Sequence, residues 1–195
     1  MQKTKSTFTQ SIQTKTSRRR FFQLLYTFLF GFLIFTTACS QQPAVRPPLS
    51  DPALDKELGS MLDFNVPLMG VAELKERQSK VVLLDAREPE EYERSHIEGA
   101  RCIGYKKFKL KKLKDIPKDA TVVLYCSVGY RSEKIGQKLQ KAGFTDVYNL
   151  YGSIFEWANQ GYPLVDKSGE STQTLHTYSR TWSKWVKRKE IQKVW

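Results

Sequence analysis

The stretch "TVVLYCSVGYRSEKIGQKLQKAG", residues 121–143, changes its periodicity halfway along. Val122, Val123, Leu124 and Tyr125 form a short continuous apolar run, the pattern of a strand covered on both faces. After Arg131 the period becomes helical: Ile135 and Leu139 lie one turn apart, flanked by Lys134, Lys138 and Lys141, so one face is buried and the other solvated. The segment therefore predicts a strand, a six-residue loop Cys126–Arg131 and a helix from Ser132 to Ala142. Gly143 followed by Phe144 predicts a Schellman ending.

The alternation continues on both sides. Upstream, "VAELKER" reads as a short helix, "KVVLLDA" as a buried strand closed by Asp85 and Arg87, "EPEEYERSH" as a helix and "ARCIGY" as a strand; downstream, "DVYNL" is a strand and Ser153 to about Gln160 a helix. In "EPEE" the proline and acids suit a helix's first turn, where a missing N–H costs nothing and negative charge meets the dipole. Short strands separated by helices imply parallel pairing with covered sheet faces. The expected class is α/β: an open, mainly parallel sheet of about five strands with helices on both faces.

Charge and hydropathy divide the 195-residue chain. Its formal charge of +12 is concentrated at the ends, +6 over residues 1–38 and +5 over residues 176–195, which leaves +1 for the middle. That distribution argues against a nucleic-acid partner, which would call for a basic face on the domain. It favours a membrane. "SRRR" runs into fifteen mostly apolar residues, Phe21–Phe35, and then "TTAC". The apolar run falls short of the roughly 20 residues that span a bilayer, so residues 1–38 are expected to be an export signal peptide, with an uncleaved anchor as the alternative. "SRRRFFQ" resembles a twin-arginine export motif, and "TTAC" resembles a lipoprotein signal-peptidase box. The resemblance implies lipid attachment at Cys39, anchoring to a membrane of the bacterial cell envelope, and a domain outside the cytoplasm. Residues 39–60, rich in Pro, Ser and polar residues, read as a tether. Order is expected from about Met61, in a domain over 61–166 followed by a basic, Trp-rich extension, 167–195.

The loop after the central strand is the candidate site. In open parallel sheets ligands bind beyond the carboxyl ends of the strands, and Cys126 occupies such an end. The helix behind it offers amides without intrahelical partners. With Arg131 they would stabilise a thiolate, moving a thiol from about 8.5 downward. Gly129 tolerates a positive φ, and Ser132 can cap the helix.

Taken together, "LLDAREPEEYERSHIEGA" (Leu83–Ala100), "VVLYCSVGYRS" (Val122–Ser132) and "AGFTDVYNLYGSIFEWANQGYPL" (Ala142–Leu164) resemble a single-domain rhodanese. The resemblance implies a rhodanese-like fold and a sulfurtransferase. Cys126 would take sulfane sulfur from thiosulfate or a similar small donor as a persulfide and pass it to a thiophilic acceptor. It implies substrate binding by Ser127, Val128, Gly129, Tyr130, Arg131 and Ser132, site support by Asp85 and Arg87, and no cofactor. No metal is expected, because the His and Cys spacings match no ligand pattern.

Plainer readings stand beside these. Arg131 could pair with Glu133 or Glu91, His96 fits a structural position, and Cys102 on a strand fits the core. The lysine run "KKFKLKKLK" (Lys106–Lys114) fits a solvated helix face, or, if it lies beside the site, a field that attracts anionic donors. The C-terminal mix of Trp and basic residues suits either a membrane interface or packing back onto the domain. Two rival functions share the constellation. One is a phosphatase or arsenate reductase of the related fold, which places five residues between Cys and Arg where this chain has four, Ser127 to Tyr130. The other is a non-catalytic binding module at the envelope.

Overall fold

The computed structural model describes residues 45–195. The expected signal peptide and Cys39 lie outside the described residues. Among the described residues no helix is long and apolar enough to cross a membrane.

Strands β1 (Leu68–Met69), β2 (Val82–Asp85), β3 (Arg101–Cys102), β4 (Val122–Tyr125) and β5 (Val147–Leu150) form a five-stranded sheet in the order β1-β5-β4-β2-β3. Every pairing in it is parallel. The central strand β4 runs beside β2 from Val82↔Val122 to Asp85↔Tyr125 and beside β5 from Val122↔Val147. Its side chains alternate between two cores, as the pleat requires. Val123 and Tyr125 pack with Leu54, Leu58, Leu74, Phe155 and Trp157; Val122 and Leu124 pack with Ile135, Leu139 and Phe144. The first group brings helices α1 (Pro52–Met61), α2 (Val71–Arg77) and α5 (Ser153–Asn159) to one face, and the second brings α4 (Tyr130–Lys141) to the other. Helix α3 (Pro89–Arg94) follows β2. The expected α/β class and parallel sheet are observed.

The Schellman ending is also observed. Gly143 adopts φ +89, its amide bonds Gln140 O, and the Phe144 amide bonds Leu139 O at 3.1 Å.

Four boundaries differ from expectation. The stretch expected to close the tether is helical instead, because Asp51 Oδ1 accepts from the Ala53 amide at 2.9 Å, Pro52 opens a helix, and Leu54 and Leu58 are fully buried one turn apart. Helix α4 starts at Tyr130 with Gly129 as N-cap (φ +123), so Ser132 lies inside the first turn instead of capping it. The lysine run makes only one 3-10 turn, Leu110–Leu113, in which Leu113 is buried and the lysines are exposed. The C-terminal extension is folded: its β7 (Ser171–Thr172) pairs antiparallel with β6 (Leu164–Val165) of the domain, and β8 (Thr174–His176) and β9 (Gln192–Val194) pair parallel. Leu175, Trp185, Val186 and Ile191 join the α1-side core. Of the two readings of the extension, packing onto the domain is the one observed.

Candidate active site

Cys126 follows the last residue of β4 and is 1% exposed. The loop around it is turned so that three of its carbonyls point back into the domain. Cys126 O accepts from the Ile154 amide, Ser127 O from the Phe155 amide, and Gly129 O from Asn149 Nδ2 at 3.0 Å. With the carbonyls engaged behind the loop, its amides are left on the sulfur side, and the Gly129 amide donates to Cys126 Sγ at 3.2 Å. Among the described residues, no group accepts from the amides of Val128, Tyr130 or Arg131. Unpaired donors converging at a helix N-terminus form an anion-binding concavity.

The electrostatics follow from that arrangement. Burial alone would push the Cys126 thiol up, but the Arg131 charge and the amides of Ser132 and Gly129 outweigh it and hold the thiol below its ordinary value. Arg131 is itself held. Nη1 and Nη2 donate to the two Glu91 oxygens at 2.6 and 2.8 Å, and Nη2 also donates to Ser127 Oγ at 3.0 Å. Of the two acids considered as partners, Glu91 is the one used; Glu133 instead accepts from the Asp63 and Asn65 amides. The pair is nearly buried, at 13% and 5% exposure, so it is not a weak surface pair, and it fixes the guanidinium beside the thiolate. Burial opposes the ionised form of Glu91, but Arg131 holds its carboxyl below the usual range.

Asp85 and Arg87 do not face the cavity. They form a fully buried ion pair with Nη2–Oδ2 at 2.6 Å, and Arg87 also donates to Ser95 O. The guanidinium lies 5.8 Å from the centre of the Tyr125 ring, so the pair braces the strand that carries Cys126. His96 stacks on Tyr92 and bridges to Val165, a structural position. Cys102 is half-buried on β3, and burial raises its thiol; both Cys102 and Cys126 are free. Among the described residues no cluster of His, Cys, Asp or Glu is placed to hold a metal ion.

Two supports were not anticipated from sequence. Asn149 on β5, fully buried, accepts from Ser132 Oγ at 2.7 Å while bonding Gly129 O, which fixes the start of α4 to the sheet. Ser153 Oγ accepts from the Cys126 amide at 3.2 Å and donates to Leu150 O, and its backbone sits at φ +53. A lone polar residue inside an otherwise apolar strand was the signal available for Asn149.

The sulfur opens onto a cavity of about 280 Å³. Its walls come from the loop (Ser127, Val128, Tyr130, Arg131), from Met61 of α1, from Glu88, Tyr105 and Lys106, and from Tyr178 and Trp182 of the extension. The lysine-rich segment thus reaches the mouth through Lys106.

A family model described as a rhodanese-like domain matches residues 70–160. Over 89 residues the chain is 36% identical to a sulfurtransferase of Allochromatium vinosum, a match covering 46% of this chain and 82% of that protein. Over 85 residues it is 40% identical to the probable adenylyltransferase/sulfurtransferase MoeZ of Mycobacterium tuberculosis, covering 43% of this chain but only 22% of MoeZ. Among solved structures, a rhodanese-related protein from Thermoplasma volcanium superposes with a TM-score of 0.46 at 28% identity, covering 50% of this chain and 96% of that one. The chain belongs to the rhodanese-like family, and sulfurtransferase stands in the names of two of these relatives.

Proposed function

We propose that the protein is a sulfurtransferase working through a persulfide on Cys126. The observation that carries this reading is a buried sulfur at a strand end that accepts an amide hydrogen bond from Gly129 and is held acidic by Arg131. The Cys126 thiolate attacks the outer sulfur of thiosulfate. The donor's S–S bond breaks, sulfite leaves with the electron pair, and a new S–S bond makes the persulfide, whose negative terminal sulfur is stabilised by the loop amides. A thiophilic acceptor such as cyanide then takes the terminal sulfur as thiocyanate and restores the thiolate. Lys106 and Arg131 add a positive field that favours anionic donors.

The test is intact-protein mass spectrometry of reduced protein exposed to thiosulfate. One added sulfur atom is expected on Cys126, removed by cyanide and absent in Cys126→Ser, whose thermal stability should stay near wild type. No adduct on the wild type would refute the reading. The same preparations should show negligible hydrolysis of an aryl phosphate; efficient hydrolysis that Cys126→Ser abolishes would favour the phosphatase reading.

The proposal extends to location: an envelope protein, exported by residues 1–38 and held to a membrane by lipid on Cys39. Cys39→Ala should leave a longer precursor in membrane fractions. Recovery of wild-type protein with residues 20–38 still attached would favour an uncleaved anchor.

A further inference from the structure

The wall that the C-terminal extension contributes to the cavity is built in a specific way. Tyr178 has a left-handed backbone, φ +65, and its side chain is left 57% exposed. A bulky residue in that region is strained, and such strain persists only where the surroundings hold it. Here they do. The Tyr178 amide donates to His176 Nδ1 at 3.1 Å, and the preceding Thr177 amide donates to Val194 O at 2.7 Å. The Trp182 amide is tied to Ser179 O at 3.1 Å. The Arg131 guanidinium lies 5.2 Å from the centre of the Tyr178 ring. An exposed aromatic fixed over the arginine beside the thiolate is arranged to meet something that enters the site.

Size and chemistry indicate what enters. A bare thiosulfate ion occupies a few water volumes at roughly 30 Å³ each, which leaves most of a cavity of about 280 Å³ unfilled. Tyr178, Trp182, Tyr105 and Met61 give that cavity rings and a thioether, and such surfaces are complementary to an apolar body. Positive charge is supplied at the mouth by Lys106, beside the lining acid Glu88, and around the sulfur by Arg131 and the loop amides.

Resting on the sulfurtransferase reading, we infer that Tyr178 and Trp182 form a specificity wall that selects a sulfur donor with a ring-sized apolar body beside its anionic, transferable sulfur. An aryl thiosulfonate has that chemistry. The Cys126 thiolate attacks its terminal sulfur, the S–S bond of the donor breaks, and an aryl sulfinate departs with the electron pair while the persulfide forms. No oxidant or reductant is consumed.

The experiment compares benzenethiosulfonate with thiosulfate as donors, cyanide being the acceptor, in wild type, Tyr178→Gly and Tyr178→Gly/Trp182→Ala. Glycine suits the left-handed backbone, so the first variant removes the ring while relieving strain. Wild type should favour the aryl donor by about tenfold or more in kcat/KM, the discrimination an apolar contact supplies, and the double variant should lose about tenfold of that ratio. A wild type without preference, or a ratio unchanged by both substitutions, overturns the inference. If neither donor yields a persulfide, the sulfurtransferase reading fails, and calorimetry on Cys126→Ser decides the wall separately. Tighter binding of benzenethiosulfonate than of thiosulfate, lost with Tyr178→Gly, supports it; equal binding of the two overturns it.

Discussion

Strands β2 and β4 lie side by side and end on the same rung, Asp85 opposite Tyr125, yet their carboxyl ends have opposite characters. At the end of β2, Asp85 spends its oxygens on the amide, Nε and Nη2 of Arg87, so both charges are consumed within two residues and neither is exposed. At the end of β4, the carbonyls are consumed from behind by α5 and Asn149, and the donors are left facing a sulfur. The same topological position therefore yields a brace in one strand and a reactive group in the next. What decides is whether the donors there are satisfied within the chain or aimed at a cavity. Arginine illustrates it twice: Arg87 is locked under Tyr125, while Arg131, equally paired, keeps its charge beside Cys126.

The comparison can be broken most forcefully at the brace. Asp85→Asn leaves Arg87 buried without its counter-ion, which should cost about 3–5 kcal/mol, read as a lower urea midpoint. A loss below about 1 kcal/mol would show that the strand end does not depend on the pair. Next comes Gly129→Ala. At φ +123 any side chain is strained, and its Cβ would lie 3.4 Å from Asn149 Nδ2 and 3.6 Å from Leu62 Cδ1. A stability loss of about 1–3 kcal/mol is expected, together with slower persulfide formation.

Arg131→Ala sharpens the contrast by removing the guanidinium beside the sulfur. Without the guanidinium, burial dominates and the Cys126 thiol rises; since the thiolate is the reactive form, the acid limb of the rate profile should move to higher pH. A rise of one unit is about a tenfold smaller thiolate fraction on that limb. An unmoved limb, measured as the rate of single-turnover sulfur loading against pH, would mean that the amides alone hold the thiolate. The smallest effect is expected from Cys102→Ser, at the end of the neighbouring strand β3, which should keep turnover close to wild type and cost about 1 kcal/mol or less. Loss of turnover with an intact fold would instead make Cys102 a second sulfur carrier.

How far the sequence could be read depended on the range of the interactions. β2, β4 and the helix behind Cys126 were legible because a continuous apolar run and a 3.6-residue period are local signals. β1 was not, since two residues carry no period and their strand character comes from pairing with Asn149 and Leu150. Helix α1 is hidden by composition: three prolines precede its leucines within "RPPLSDPALDKEL", and a capping aspartate next to a proline has the composition of a linker. At the site, the cysteine, the loop and the positive φ at Gly129 were local and legible. The choice of Glu91 over Glu133 for Arg131 was not, because the partner lies 40 residues away and only the packing of α3 brings it there. The aromatic wall from Tyr178 and Trp182 was beyond reach for the same reason.

The clamp on the amino-terminal side of the domain has a mechanical consequence. Ser50 donates through both its amide and its hydroxyl to the two oxygens of Glu156, each at 2.9 Å, and Asp51 holds Lys187 Nζ at 3.0 Å. Tension applied through the preceding chain would meet the Arg46–Asp55 ion pair, at 2.9 Å, and then a fully buried carboxylate on α5. Two and one residues earlier on that helix, the Ile154 and Phe155 amides grip the carbonyls of Cys126 and Ser127. The path from the amino-terminal side of the domain thus runs within one helical turn of the groups that hold the sulfur's own backbone.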